Sequence, residues 1–108
     1  LKHIKKTYPD VLYIVCCAMH EAVESRQYYE SCQQYVKKHG LETNVVFVTD
    51  FLDMEESMVL LQACDILLMT YHPTGESASG AVRFCLAAQR PLITTQQDIF
   101  AEFKDCTE

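Results

Sequence analysis

Residues 70–83 read Thr-Tyr-His-Pro-Thr-Gly-Glu-Ser-Ala-Ser-Gly-Ala-Val-Arg. They follow an apolar run at residues 65–69 that is typical of a buried strand, and they lead into residues 81–88, which have helical character. Small residues at the start of a helix let a ligand come close to backbone N–H groups, and the helix dipole there favours an anion. The stretch therefore predicts a strand–turn–helix unit that binds a phosphate group. The usual ligand of such a turn is a diphosphate.

Outside this stretch, strand and helix patterns alternate along the chain. Strands are predicted at residues 11–18, 44–49, 65–69 and 91–95; helices are predicted at residues 1–8, 25–39, 54–64 and 81–88, with a last helical turn at 99–103. Each crossover is long enough for a βαβ unit. The pattern therefore predicts an α/β fold, a Rossmann-like doubly wound parallel sheet of about four strands with helices on both faces.

Several local signals refine these elements. Gly40 is expected to close the helix before it at the C′ position, and Asp53 is expected to cap the next helix with Glu56 as its capping-box partner. The strand at residues 11–18 is apolar throughout, so it is expected to be covered on both faces. Some helical side chains are expected to face the core: Met58, Val59, Leu61, Phe84 and Cys85.

Length and charge restrict the function classes. With 108 residues, the chain is expected to be one domain, residues 1–108. Its net charge of -6 argues against a nucleic-acid partner, which requires a basic face. Lysines at residues 2–6 and 37–38 are expected to form solvated helix faces, with an anion-binding or membrane-binding patch as the alternative.

Cysteine usage points to a reducing compartment. The six cysteines include an adjacent pair, Cys16 and Cys17, but no C-x-x-C, and the four histidines complete no zinc pattern. Free thiols and no metal site are therefore expected, in a cytoplasmic protein. No signal peptide or membrane-spanning run is recognised in the sequence. Because the chain starts without methionine and stops in a polar tail, it is expected to be a piece of a longer protein.

Ligands of doubly wound sheets bind at the carboxyl ends of the strands. Four loops far apart in sequence are expected there: residues 19–21, 50–52, 70–76 and 94–96. Within them, Thr70 and His72 are candidate ligand contacts. Ser77 and Ser79 are candidate caps of the following helix, a role that is compatible with phosphate binding because both use the same free amides.

The order and spacing of four runs carry a family resemblance. They are residues 44–52, 60–69, 76–82 and 87–94. Together they resemble the C-terminal, nucleotide-sugar-binding half of retaining GT-B glycosyltransferases of the family-4-like type, glycosyl transferases group 1. The resemblance implies a donor-binding domain of an enzyme that transfers a hexosyl group from a nucleotide-diphosphate sugar to a glycan or other acceptor. It also implies a further N-terminal acceptor-binding domain, no metal in this domain, and possible peripheral attachment of the longer protein to the inner face of a membrane.

The resemblance assigns roles to individual residues. Glu76 matches the first glutamate of the family's E-x7-E pattern, the catalytic-site residue that contacts the donor sugar hydroxyls. Ser77, Ala78, Ser79 and Gly80 match the turn whose amides meet the diphosphate. Two further residues, Phe51 and Leu52, match the loop near the base.

Two positions depart from the family pattern. The second glutamate, which holds the ribose, falls on Phe84, and a phenyl ring cannot accept hydrogen bonds from hydroxyl groups. The ribose is then held otherwise, or nucleotide affinity is reduced. Gln89 stands where the family usually has a small residue before an Arg-Pro pair.

Other functions remain open on the sequence. They are a degenerate, non-catalytic GT-B domain, for which Phe84 is the best sign, and a sugar-nucleotide epimerase-like domain with the same diphosphate turn. A phosphorylation receiver domain is a weaker alternative because its acidic cluster and lysine are absent from the expected positions. The chain also lacks the G-x-G-x-x-G of a dinucleotide-binding domain.

Overall fold

The structure is a computed structural model, and it describes residues 1–73 and 79–106. The chain divides into two compact units, Leu1–Leu52 and Asp53–Glu108. Within the described ranges, the fold is mixed α/β. The helices are α1 (Lys2–Thr7), α2 (Val23–Lys38), α3 (Met54–Ala63) and α4 (Gly80–Ala87), followed by a 3-10 helix (Asp98–Cys106); the strands are β1 (Tyr13–Cys16), β2 (Val45–Val48), β3 (Leu67–Met69) and β4 (Leu92–Thr94).

The strands form two parallel pairs, one in each unit. β1 pairs with β2, with Tyr13 opposite Val45, and β3 pairs with β4, with Leu67 opposite Leu92. A helix connects the two strands of each pair, α2 in the first unit and α4 in the second, so both units contain a βαβ crossover. The predicted α/β class and parallel pairing are confirmed. A single doubly wound sheet of four strands stays a prediction.

In the first unit, the buried side chain of Asn44 joins the start of β2 to the segment before β1. Its amide nitrogen Nδ2 donates to the carbonyl oxygens of Pro9 (2.9 Å) and Val11 (2.8 Å). The backbone carbonyl oxygen of Asn44 accepts a hydrogen bond from the N–H of Tyr13 at 2.8 Å. Asn44 is only 2% exposed, so these bonds satisfy polar groups that have little access to water.

The end of α2 confirms the prediction for Gly40. Gly40 has φ of 60°, and its N–H donates to Lys37 O at 3.2 Å, while the N–H of Leu41 donates to Val36 O at 3.0 Å. These two bonds are those of a Schellman motif, which needs a residue in the left-handed region. The next residue, Leu41, is buried in the first unit.

The prediction that β1 is covered on both faces is wrong. The aromatic ring of Tyr29 on α2 packs edge-on against Phe47 of β2, with ring centroids 5.3 Å apart. On the opposite face of this pair, Cys16 and Val46 are exposed. An apolar run by itself does not distinguish a strand covered on one face from one covered on both.

The second unit packs α3 and α4 against β3 and β4. One cluster centres on Leu67, Cys85 and Ala88, and a second on Val82, Ile99 and Phe100. Partly buried side chains pack against these clusters: Met58, Leu61, Cys64, Met69, Tyr71, Leu92 and Phe103. The inward positions of Met58, Leu61 and Cys85 are thus confirmed, as is the capping box between Asp53 and Glu56.

Two of the predicted core residues lie on the surface instead. Val59 is 63% exposed, and Phe84 is 36% exposed. α4 buries Val82 and Cys85, and Phe84 lies about 100° around the helix from Cys85, at the margin of the buried stripe. No helix in the described part of the chain has the length and apolar character needed to cross a bilayer.

Candidate functional site

The carboxyl ends of β3 and β4 are joined by one hydroxyl group. Thr95, the residue after β4, accepts the N–H of Tyr71 at its Oγ1 (3.0 Å) and donates the same hydroxyl to the carbonyl of Tyr71 (2.9 Å). Its own N–H donates to Met69 O at 3.2 Å. A hydroxyl can donate and accept at once, so this side chain continues the ladder beyond the last residues of both strands.

Tyr71 in turn contacts the start of α4. Its hydroxyl lies 3.4 Å from Oγ of Ser79, and its ring packs against Phe100 with centroids 5.2 Å apart and an interplanar angle of 47°. Ser79 is the N-cap of α4, and its Oγ accepts the N–H of Val82 at 3.4 Å. The N-terminus of α4 is therefore positioned against the end of β3 through Tyr71.

The first turn of α4 is open. Gly80 and Ala81, its first two residues, are exposed, whereas Ser79 is 5% exposed. Among the described residues, a Cβ built at Gly80 would meet no atom within 4 Å outside its own helix and its chain neighbours. Because the first N–H groups of a helix have no partner within the helix, this turn presents donors and the positive end of the helix dipole to any ligand that approaches.

A cavity of about 260 Å³ lies beside this turn, at the carboxyl end of β4. Its lining combines hydroxyl, carboxamide and apolar side chains: Val82, Leu92, Thr94, Thr95, Gln96, Gln97, Phe100 and Phe103. Each of these side chains is uncharged. The cavity therefore suits a neutral group that carries hydroxyls or amides and has an apolar face, while the adjoining helix turn suits an anion.

The predicted site residues fall into three groups. Ser79 and Gly80 lie in the first turn of α4, and Thr70 and His72 lie exposed in the segment that follows β3. Phe51 (85% exposed) and Leu52 (half-buried) belong to the first unit, after β2. The remaining three predicted residues, Glu76, Ser77 and Ala78, lie outside the described residues.

The sequence did not reveal the two side chains that organise this site. The sequence pattern places Tyr71 in the stretch at residues 70–83 and Thr95 at the end of a predicted strand. It assigns neither residue a role in the site. A usable signal was available, since both lie directly after apolar strand runs whose carboxyl ends meet in a parallel pair. The expected loop at residues 94–96 does line the cavity.

Two of the cysteine thiols, those of Cys85 and Cys16, have a raised pKa. Burial raises the pKa of the Cys85 thiol, and burial together with the neighbouring Cys17 raises the pKa of Cys16. A raised pKa reduces the thiolate fraction that reacts with electrophiles or metals. Among the side chains that the structure describes, His, Cys, Asp and Glu form no group of three that could hold a metal ion.

The α4 turn and the cavity lie side by side and together form the candidate ligand site. Comparisons of the chain with family models, with curated proteins and with solved structures find no match.

Proposed function

We propose that this chain is the nucleotide-sugar donor-binding domain of a glycosyltransferase that transfers a hexosyl group to a glycan or other acceptor. The observation that carries the proposal is the position of the exposed first turn of α4 beside a cavity whose described lining residues are uncharged, at the carboxyl ends of two parallel strands. That edge is where ligands of parallel α/β units bind.

The two parts of the site fit the two parts of such a donor. The first-turn amides and the helix dipole suit the diphosphate, because they supply hydrogen-bond donors and partial positive charge. In this proposal Ser79 and Gly80 hold the diphosphate together with Ser77 and Ala78. The hydroxyls and amides of Thr94, Thr95 and Gln96 would meet a neutral, hydroxylated group.

The remaining assignments come from the family resemblance. Glu76 would contact the sugar hydroxyls, Thr70 and His72 would approach the donor from the end of β3, and Phe51 and Leu52 would lie near the base. The proposal includes a single doubly wound sheet of about four strands, supported by the parallel βαβ crossover in each unit. It also includes a cytoplasmic location, no metal in this domain, and a separate acceptor-binding domain.

Phe84 favours a second candidate, a degenerate domain that binds nucleotides weakly or not at all. Its ring is 36% exposed on α4, one turn beyond Gly80. A phenyl ring offers no acceptor for ribose hydroxyls. A degenerate domain would show no preference for the sugar-bearing form of a nucleotide.

The Gly80→Ala variant tests whether the first turn of α4 binds a ligand or has only a structural role. The new methyl group meets no atom of the described residues beyond its own helix and chain neighbours, and alanine is the better helix former, so stability should rise by up to about 1 kcal/mol. The same methyl would obstruct a phosphate that approaches the backbone. We expect titration calorimetry with UDP, GDP, ADP and dTDP to show binding of one of them, weakened about tenfold, or about 1.4 kcal/mol, by this change.

The matched control is Gly40→Ala. Because Gly40 has φ of 60°, alanine there should lower stability and leave nucleotide affinity unchanged. Lack of binding of every diphosphate at millimolar concentration, or equal affinity of the Gly80→Ala protein, would rule out the proposed turn. Glu76→Ala, titrated with the corresponding nucleotide-sugar, then tests the sugar contact and separates a donor site from a degenerate one.

A further inference from the structure

In the first unit, two basic segments that are far apart in sequence meet. The Nζ of Lys5 in α1 donates to the carbonyl of Gly40, just after α2, at 2.7 Å. The start of α1 also lines a cavity of about 200 Å³ with Tyr35 and Leu41. α1 therefore lies against the C-terminal end of α2.

This contact concentrates the positive charge of the unit. Five of its six basic residues are in α1 or the last turn of α2, and we call them the lysine face: Lys2, Lys5, Lys6, Lys37 and Lys38. The unit as a whole has six basic and six acidic residues, and the carboxylates nearest to the face in sequence are those of Asp10 and Glu42. The second unit has three basic and nine acidic residues, so the chain's net charge of -6 arises there.

Four of the five lysines are exposed, and Lys5 is half-buried where it reaches Gly40. Their mutual proximity has an electrostatic consequence. The pKa of His39, at the end of α2, is lowered by partial burial and then by the charges of Lys2 and Lys38. Lysines from both segments thus lie near one imidazole, in agreement with the contact between Lys5 and Gly40.

We propose that the lysine face docks on an anionic membrane surface. Charge complementarity carries the proposal, since each lysine close to a negatively charged bilayer adds attraction. The type of cation supports a lipid surface. Lysine is a mobile point charge, which suits a fluid array of headgroups, whereas the planar fork of arginine suits one fixed phosphate or carboxylate. The face contains no arginine.

The neighbouring side chains agree with a membrane better than with a protein. Lysine is depleted in protein–protein interfaces relative to the rest of the surface. Ile4 (51% exposed) lies on α1 and Tyr8 (67% exposed) is the C-cap of this helix, so both are close in sequence to these lysines. Aliphatic and aromatic groups next to lysines are the usual anchors at the boundary between headgroups and acyl chains.

The net negative charge of the chain does not prevent such docking. At ionic strengths near 0.1 M, charges separated by more than about 10 Å are largely screened, so the local lysines dominate the attraction. The docking is independent of the proposed nucleotide site, and the two can fail separately.

The test is flotation of the protein with phosphatidylcholine vesicles, compared with vesicles in which about a third of the lipid is phosphatidylglycerol. We expect partition to the anionic vesicles, weakened by added salt, and little partition to the neutral ones. A variant with Lys2→Gln, Lys6→Gln, Lys37→Gln and Lys38→Gln should partition several hundredfold less, at about fivefold per lysine. Lys5 is retained because it bonds to Gly40.

The charge-preserving control replaces the same four lysines by arginine and should retain partition. Far-UV circular dichroism of the glutamine variant verifies folding, and its spectrum should match that of the unchanged protein. The proposal is overturned by no partition to anionic vesicles at low salt, by equal partition to neutral vesicles, or by an unaffected glutamine variant. Tighter binding to soluble polyglutamate than to anionic vesicles would overturn it in favour of an acidic protein partner.

Discussion

The hydroxyl of Thr95 both accepts the N–H of Tyr71 and donates to its carbonyl, at 3.0 and 2.9 Å. One side chain thus satisfies both backbone groups of a residue in the segment after β3. Through the Tyr71 hydroxyl, this arrangement extends to Ser79 and the first turn of α4. The turn that we propose as the diphosphate site is therefore positioned by the end of the sheet.

Thr95→Val should destabilise the second unit. Valine has the same shape but leaves the N–H and the carbonyl of half-buried Tyr71 without their partner, at a cost of about 2–3 kcal/mol. Thr95→Ser keeps the hydroxyl and should stay within about 1 kcal/mol of the unchanged protein. Urea denaturation measures both. Equal stability of the valine and serine variants would show that the hydroxyl does not fix this segment.

Asn44→Asp should destabilise the first unit in a pH-dependent manner. A carboxylate cannot donate, so it would face the carbonyls of Pro9 and Val11 as a buried acceptor, at a cost of about 3–5 kcal/mol at neutral pH. Burial raises the pKa of the new carboxyl in the folded state. The deficit should therefore grow as pH rises through that raised pKa and shrink in acid, where the protonated group donates once.

The measurement is the free energy of unfolding of Asn44→Asp and Asn44→Ala between about pH 4 and 8, because carboxyls with a raised pKa titrate roughly in this range. The alanine variant lacks the charge and should show a pH-independent deficit. If the free energy of unfolding of both variants changes with pH in parallel, the contacts with the carbonyls of Pro9 and Val11 do not determine the loss of stability.

Gln89→Gly should stabilise the second unit. Gln89 follows the C-cap of α4 with φ of 56°, in the left-handed region that glycine adopts without steric cost. We expect a gain of about 0.5–1 kcal/mol, after the greater flexibility of glycine in the unfolded chain is included. Gln89→Ala keeps the Cβ and should bring no such gain. Thermal unfolding of the two variants compares them directly, and a gain shared by both would contradict the backbone explanation.

The lowered pKa of His39 predicts lower stability in mild acid. Its ordinary value is about 6.5, and a group with a lower pKa in the folded state is charged more readily when unfolded. Stability from this group is present above about pH 6.5 and declines as pH falls through the lowered pKa. In His39→Gln, unfolding measured by denaturant should depend less on pH across this window. An unchanged pH dependence would assign the acid sensitivity to other groups.

Much of the secondary structure follows from local signals. The Gly40 end of α2 and the capping box of Asp53 and Glu56 were predicted because each depends on residues within one turn. Strand positions were predicted because apolar runs stood between turn residues, although β3 and β4 are only three residues long. The parallel pairing followed from the helix between consecutive strands.

Features that depend on tertiary packing were harder to predict from the sequence. The exposure of Phe84 and Val59 depends on which side of a short helix meets the sheet, and their apolar neighbours do not specify that side. The Thr95–Tyr71 bridge and the meeting of Lys5 with Gly40 join residues 24 and 35 positions apart, respectively. Such contacts are set by the register and the packing of the elements, which periodicity alone does not contain.

The central claim is that a nucleoside diphosphate binds the first turn of α4, and glycine-labelled protein tests it most directly. The chain contains three glycines, Gly40, Gly75 and Gly80, so its ¹⁵N-glycine spectrum is simple to assign. On titration with UDP, GDP, ADP or dTDP, the account predicts that the Gly80 amide shifts saturably with one of them while Gly40, at the end of α2, stays in place. A Gly80 amide that does not move at millimolar diphosphate, or that moves only in parallel with Gly40, would contradict it.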